Sequence, residues 1–172
     1  MMTPTTFDDA FTALNGCKSL FARDVREVSE LMLRIRLVEA RAQNKVAVPP
    51  PWATEDVAAI FKDARPVEPD ETSLVFEIVF KPETIVSYVV LNESCGCYPK
   101  PPEVFTGKLF REFQKSHLLD FIRANTCASD EYPGKLRHFE IVSENEVFDI
   151  IATAAPEIAH GQWRQVQGQP DW

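Results

Sequence analysis

The sequence predicts a single α+β domain, built on a mainly antiparallel sheet that one helix covers. Three observations carry this prediction. Apolar residues recur at helical spacing over about 109–125, residues 136–153 alternate like two strands around a turn, and two earlier runs are rich in β-branched residues. A length of 172 residues suits one domain, which at this size buries about 70% of the surface that its unfolded chain exposes.

The N-terminal part contains one clear element and one ambiguous segment. Phe7–Leu14 is predicted to be a short helix, because Asn15-Gly16 after it is a common stop signal. Residues 21–42 fit two structures, since their apolar positions recur at helical spacing while leucines and arginines alternate from Leu31. We predict a strand over Leu31–Ala40 and leave the structure of Lys18–Ser29 open.

The middle of the chain is predicted to begin with a rigid connector and a short helix. Val48-Pro49-Pro50-Pro51-Trp52 cannot join the interior of a sheet and is expected to be a stiff surface segment. Thr54–Phe61 is predicted to be a helix capped by Thr54, with two acidic residues in its first turn.

Two strands and a long loop are predicted next. Leu74–Phe80 and Thr84–Leu91 flank Lys81-Pro82-Glu83, so we expect a hairpin at the centre of the sheet. Residues 92–106 are polar and rich in proline, which predicts a long loop, and loops of this length are often functional.

The main helix is predicted over about 109–125, with Thr106 as its N-cap. Its buried face is expected to include His117 as a packed, hydrogen-bonded residue. The apolar members of this face are Phe110, Phe113, Leu118, Phe121 and Ile122. The loop-forming residues 125–134 end the helix.

The C-terminal hairpin is predicted over 136–153, with its turn at residues 143–146. In this register Val142 faces Val147, Glu140 faces Asp149, and Phe139 faces Ile150. One face then carries Phe139, Ile141, Phe148 and Ile150, and the other carries His138, Glu140 and Asp149. Two opposed carboxylates repel unless a cation, a proton or solvent intervenes, so the polar face is either solvated or a polar site. We predict a solvated face, because antiparallel sheets often leave one side wet.

The last residues, 161–172, are predicted to form a tail rich in Gln and Gly. Its two tryptophans, Trp163 and Trp172, are expected to pack on the domain or on a neighbouring copy.

The charge of the chain disfavours some partners and favours others. The net charge is -8, and residues 51–103 alone carry four Lys and Arg against ten Asp and Glu. This surface disfavours nucleic acid and anionic membranes and favours a basic protein partner. The alternative is that the acidity only keeps the protein soluble. A homodimer is also compatible with the composition.

The cellular compartment is predicted from the targeting and membrane signals that the sequence lacks. It has no apolar run of 18 residues and no basic segment leading into an apolar one at its N-terminus, which predicts a cytosolic protein. Its four cysteines are therefore expected to be reduced thiols.

Three groups of residues are candidate sites. Tyr88, Asn92, Glu93 and Ser94 at the end of a predicted strand form a candidate binding site, or simply the residues of a turn. His138 with Glu140 or Asp149 is a candidate acid and base pair. Cys95 and Cys97 are candidate zinc ligands, but a second cysteine pair is lacking, so no metal site is predicted.

Several stretches of the second half resemble small uncharacterised bacterial proteins. They include Val86-Ser87-Tyr88, Asn92-Glu93-Ser94, Gly107-Lys108-Leu109-Phe110, Lys115 to Phe121, Leu136 to Phe139, and Phe148 to Ile151 ending in Pro156-Glu157-Ile158. The resemblance covers residues 85–158 and implies a bacterial cytosolic origin. Some compact acidic proteins of that kind act as immunity proteins in toxin systems, and the resemblance assigns no catalytic residue.

The sequence favours an acidic cytosolic binding protein that neutralises or holds a basic protein partner. The alternative is a small hydrolase or metal-dependent enzyme that uses the face of His138, Glu140 and Asp149, or the pair Cys95 and Cys97. No G-x-S-x-G motif, glycine-rich phosphate loop or H-E-x-x-H motif is present, so no cofactor is predicted.

Overall fold

The computed structural model describes residues 2–29, 31–96 and 98–166. Within these residues, eleven strands form two antiparallel sheets, and three α-helices accompany them. The α+β class is therefore confirmed, with two sheets where we expected one. No helix of the described part is long and apolar enough to cross a membrane.

The first sheet contains strands from both ends of the chain. In spatial order they are β1 (Thr3–Thr5), β11 (Glu157–Gln162), β5 (Leu74–Phe80), β3 (Met32–Ala42) and β2 (Ser19–Ser29), and β4 (Val67–Glu68) pairs with the end of β3. The second sheet contains β6 (Ile85–Asn92), β10 (Glu146–Ala152), β9 (Arg137–Val142), β8 (Phe110–Lys115) and β7 (Val104–Thr106). The helices are α1 (Phe7–Gly16), α2 (Glu55–Phe61) and α3 (His117–Asn125).

Both sheets and α1 contribute to one hydrophobic core. The first sheet supplies Leu33, Ile35, Leu37, Phe76, Ile78 and Phe80, and the second supplies Phe110, Phe139, Ile141, Phe148 and Ile150. Ala10 and Leu14 of α1 complete it, and each of these residues is at most 1% exposed. Full burial of a large apolar side chain stabilises the fold by roughly 1.5–3 kcal/mol, so this core is the main source of stability.

Several elements lie where the sequence predicted them. The C-terminal hairpin has the expected register, with Val142 opposite Val147 and Glu140 opposite Asp149. Leu74–Phe80 is a strand with the predicted bounds, and the hydroxyl of Thr54 caps α2 by accepting from the backbone N–H of Val57. The strand predicted from Leu31 is β3, and the open segment before it is the antiparallel partner β2.

The predicted helix over 109–125 is wrong in its first half. Residues Phe110–Lys115 form β8, which pairs with β9 and places Phe110 opposite Ile141. Phe110 and Phe113 have helical spacing, but pairing with β9 buries them on opposite faces of the second sheet. Thr106 ends β7 and does not cap a helix. The cap is Ser116, whose hydroxyl accepts from the N–H of Leu119.

The buried face of α3 also differs from the prediction. His117 is exposed, and Phe121 is 58% exposed. In the helix that starts at His117, Leu119 and Ile122 lie on the buried side, and His117 and Phe121 point to solvent. These two pack with Leu136 and Ile151 of the second sheet region in a small separate cluster.

The predicted hairpin around Lys81-Pro82-Glu83 is also wrong. Both edges of β5 are occupied, because Ile78 lies between Ile35 of β3 and Ile158 of β11. The chain passes through a 3₁₀ turn at Pro82–Thr84 and enters the second sheet, where β6 pairs with β10. The segment 81–84 therefore crosses from the first sheet to the second.

The predicted loop and tail are partly structured. Residues 92–106 include a 3₁₀ turn at Glu93–Cys95 and the short strand β7. Trp163 packs beside buried Val38, Val75 and Val166, and the guanidinium of Arg23 lies 5.3 Å from the centre of its ring. Trp172 lies outside the described residues.

The turn of the β9–β10 hairpin covers part of the free edge of β2. The side-chain Oδ1 of Asn145 accepts from the backbone N–H of Ala22 at 2.9 Å, and its Nδ2 donates to the carbonyl of Ala22 at 3.1 Å. The backbone N–H of Glu144 donates to the carbonyl of Leu20. The turn thus replaces a neighbouring strand and joins the edges of the two sheets.

Replacing Asn145 with Ala should lower the free energy of unfolding by about 1–2 kcal/mol, because two hydrogen bonds to Ala22 are lost and water replaces them only in part. Urea denaturation would measure the loss. Asn44→Ala, at an exposed position, is the control and should change stability by less than about 0.5 kcal/mol. Equal stability of the two variants would contradict the role of this turn.

Candidate functional site

The outer face of the second sheet, which points away from the shared core, carries a cleft. Two adjoining cavities of about 480 and 260 Å³ form it, and they share Leu91, Tyr98, Glu140 and Asp149. Strands β6, β8, β9 and β10 provide its floor, while residues 98–103 and the start of α3 provide its walls. We call this feature the outer cleft.

The floor of the outer cleft is a row of polar side chains that crosses three strands. Arg111 of β8 lies opposite Glu140 of β9, which lies opposite Asp149 of β10. His138 lies two residues before Glu140 on the same face of β9. Side chains on one face of neighbouring strands contact each other, so these four groups form one cluster.

The prediction of a solvated polar face is wrong. His138 is 2% exposed, Arg111 6% and Glu140 7%. The reason is that the segments around β7 cover the row, with the guanidinium of Arg111 lying 4.9 Å from the ring centre of Tyr98 and 5.1 Å from that of Phe105. Sequence alternation predicted the face correctly but could not predict its cover.

Arg111 and Glu140 form a buried ion pair. The Nε of Arg111 also donates to the carbonyl of Lys108 at 2.9 Å. Burial raises the pKa of the Glu140 carboxyl, the Arg111 guanidinium opposes that rise, and the facing carboxylate of Asp149 adds to it. The carboxylates of Glu140 and Asp149 can lie opposite each other because Arg111 neutralises the charge of Glu140, the more buried of the two.

His138 is held on three sides. Its Nδ1 lies 2.8 Å from the hydroxyl of Ser116, its Nε2 lies 2.9 Å from Oδ1 of Asp149, and its ring stacks on Phe113 at 4.3 Å. The hydroxyl of Ser116 already accepts from the N–H of Leu119, so its own hydrogen is available to Nδ1. When the hydroxyl of Ser116 donates to Nδ1, the imidazole proton lies on Nε2, which then donates to Asp149.

Ser116, His138 and Asp149 have the residue types of a catalytic triad but not its accessibility. A nucleophilic hydroxyl has to meet its substrate, whereas Ser116 is 1% exposed and caps α3. Asp149 is the member that opens to the outer cleft, with its side chain 18% exposed. The arrangement therefore fixes the orientation of Asp149 and leaves part of its carboxylate accessible to a ligand in the outer cleft.

The four candidate binding residues at the end of β6 are not brought together. The side chain of Asn92 accepts from the N–H of Ser94, so these two form the cap of a 3₁₀ turn. The hydroxyl of Tyr88 bonds to Glu27 of β2 at 3.2 Å. Glu93 lines the smaller cavity of the outer cleft.

The candidate metal ligands do not form a described site. Cys95 is an exposed free thiol, and Cys97 lies outside the described residues. Among residues 2–29, 31–96 and 98–166, no group of three or more His, Cys, Asp or Glu side chains is suited to hold a metal ion.

Sequence reasoning missed four residues of the site: Tyr98, Arg111, Phe113 and Ser116. Arg111, Phe113 and Ser116 lie in the stretch 109–125 that the sequence predicts to be a helix, and they belong to none of the predicted sites. An alternation of apolar and polar residues would have been the signal for this strand, but Phe110-Arg111-Glu112-Phe113 does not alternate, so the local pattern could not place Arg111 on a polar face. Tyr98 lies in a loop and had no such signal.

Comparison of the chain with protein-family models, with curated proteins and with solved structures found no match. Functional inference therefore depends on the geometry and charge of the outer cleft.

Proposed function

We propose that the protein is an acidic binding protein that holds a basic segment of a protein partner in the outer cleft. The observation that carries the proposal is the composition of this cleft. Four carboxylates line it, Glu93, Glu103, Glu140 and Asp149, against two cations, Lys100 and Arg111. Arg111 is already paired with Glu140, so three carboxylates remain against Lys100.

The apolar lining of the cleft suits the stems of long basic side chains. Tyr98 is 73% exposed, and Leu91 and Leu118 line the larger cavity together with it. Lysine and arginine bury their methylene groups on such surfaces while their charged ends reach a carboxylate. A basic side chain with its head at Asp149 and its stem on Tyr98 satisfies both requirements.

The charge of the whole chain acts in the same direction. A net charge of -8 attracts a basic partner over a distance of about one Debye length, roughly 8–10 Å at moderate salt. Residues 85–158 resemble small uncharacterised bacterial proteins, and some compact acidic proteins of that general kind act as immunity proteins, so a basic toxin is one partner of the proposed kind.

Capture of a partner from the lysate of the organism that encodes the chain, at low and moderate salt, tests the proposal. We expect a basic protein whose recovery falls as salt rises. Tyr98→Ala and Asp149→Asn should each weaken its binding at least about tenfold, because an exposed aromatic anchor and a charge are lost. Asp149→Asn keeps an oxygen that accepts from His138, so its fold should be retained.

Matched control variants distinguish binding in the outer cleft from nonspecific attraction by the net charge of the protein. Tyr132 is 69% exposed and lies outside the outer cleft, and Asp130 is an exposed carboxylate in the same turn. Tyr132→Ala and Asp130→Asn should bind as the wild type does. Equal loss in the control and cleft variants would show that net charge alone attracts the partner, and the proposed site would be rejected.

One observation favours a second function. Asp149 opens to the outer cleft and is held by a buried histidine, an arrangement that can exchange a proton with a bound ligand. A panel of chromogenic esters, phosphates and glycosides would test for such an enzyme. Turnover that Asp149→Asn abolishes would establish it, and equal rates in both proteins would exclude catalysis by this group.

A further inference from the structure

Strand β6 forms the longest uncovered edge of the molecule among the described residues. It runs over Ile85–Asn92, and β10 pairs with it on one side, while no described strand pairs with the other. The other outer strands of the two sheets are shorter or protected. β1 and β7 have three residues each, and β2 is covered in part by Asn145 and carries four ionisable side chains from Arg23 to Glu27.

The side chains of β6 are uncharged and mostly apolar, which is typical of a strand with a neighbour on each side. Tyr88, Val89, Val90 and Leu91 are between 36% and 41% exposed. Soluble proteins usually protect an exposed edge with lysine, proline, a bulge or an inward charge. The segment from Ile85 to Asn92 contains no proline and no Lys, Arg, Asp or Glu.

We propose that β6 pairs antiparallel with β6 of a second copy of this chain, which gives a two-fold symmetric dimer. The two five-stranded sheets then form one continuous sheet. Backbone hydrogen bonds along the edge hold the copies together, and the apolar side chains of β6 leave water.

The lack of charge on β6 favours a second copy over a basic segment as the occupant. Two molecules of net charge -8 repel each other least along strands without ionisable side chains, and β6 is such a strand, with the carboxylate of Glu27 on β2 accepting from the hydroxyl of Tyr88. The ionisable neighbours Glu83 and Glu93 lie beyond the two ends of the paired segment. β6 supplies no carboxylate of its own to a basic segment, whereas the outer cleft, which Val89 and Leu91 help to line, contains Glu140 and Asp149, so we expect the edge and the cleft to take different partners.

The experiment is light scattering coupled to size-exclusion chromatography over a concentration series. We expect a dimer in the wild type and at least a tenfold weaker dimer in Val90→Lys, because the charged side chain is placed at the paired edge. Val90 does not line the outer cleft. Val104→Lys, on the opposite edge strand β7, is the matched control, and it should dimerise normally.

A second measurement needs no variant. Hydrogen exchange of the wild-type protein should show protection of residues 85–92 that increases with protein concentration. The dimer should persist as salt rises, whereas binding of a basic partner in the outer cleft should weaken, so failure of one proposal is distinguishable from failure of the other. A monomer at every concentration, or a dimer that Val90→Lys leaves intact, would overturn the inference.

Discussion

Replacing Arg111 with Met is expected to lower the free energy of unfolding by about 3–5 kcal/mol, the largest effect that we predict for a polar residue. The change leaves the Glu140 carboxyl buried without its cation and opposite Asp149. Urea denaturation of the two proteins at one pH would measure the loss. Arg137→Met, which breaks a half-exposed pair with Glu112, is the control and should cost about 1 kcal/mol or less.

The loss in Arg111→Met should also depend on pH in a defined direction. The pKa of Glu140 is raised above its ordinary value of 4.5 in the folded protein, chiefly by burial. A raised pKa stabilises the fold below that ordinary value, and this stabilisation is lost as pH rises through the folded pKa. Removing Arg111 raises the pKa of Glu140 further, so the variant should lose stability more steeply with rising pH than the wild type.

The double variant Arg111→Met with Glu140→Met is the decisive companion. It removes both charges and replaces them with apolar side chains, so most of the lost stability should return and the additional pH dependence should disappear. A single variant that matches the wild type at all pH values would mean that Glu140 is not desolvated in the fold.

Replacing Asn15 with Ala is expected to lower the free energy of unfolding by about 3 kcal/mol, because five backbone hydrogen bonds are lost, four of them partly buried, and an orphaned buried group costs about 1–3 kcal/mol. The Oδ1 of Asn15 accepts from the backbone N–H groups of Lys108, Leu109 and Phe110 at 2.5, 2.9 and 3.1 Å. Its Nδ2 donates to the carbonyls of Phe11 and Phe110, each at 2.9 Å. One side chain thus joins α1 to the start of β8.

Asn125 provides a close control for Asn15. Its Nδ2 donates to the carbonyl of Phe121, four residues earlier on α3, as that of Asn15 donates to Phe11 on α1. Chemical denaturation should show a small loss for Asn125→Ala, and the difference between the two variants isolates the bonds to residues 108–110. A loss in Asn15→Ala no greater than in Asn125→Ala would contradict this role.

The fold was predictable where local pattern and tertiary contacts agree. The hairpin of β9 and β10 has a strict alternation, and its register follows from the opposition of Phe139 and Ile150. The helix predicted over Phe110–Lys115 is wrong because Phe110 and Phe113 are compatible with one face of a helix as well as with burial on the two faces of a strand. Pairing with β9 decides between the two structures, and no local signal encodes that pairing.

The sequence predicts which polar residues share the floor of the outer cleft, but it does not predict the segments that form the walls. Alternation alone places His138, Glu140 and Asp149 on one face, because the period of a strand is two residues. Their burial depends on Tyr98 and Phe105, which reach Arg111 from a loop and a short strand. Asn15 is a similar case, since a residue read as a helix stop binds residues 108–110.

The placement of β11 affects how the chain is made. β5 lies between β3 and β11, and β6 pairs with β10, so β5 and β6 each have a partner strand that is synthesised much later. While the ribosome is still translating the residues before Glu157, the apolar edge of β5 has no partner on one side. We therefore expect the nascent chain to depend on chaperones until the last strand emerges, and shortened chains that lack β11 to aggregate during expression.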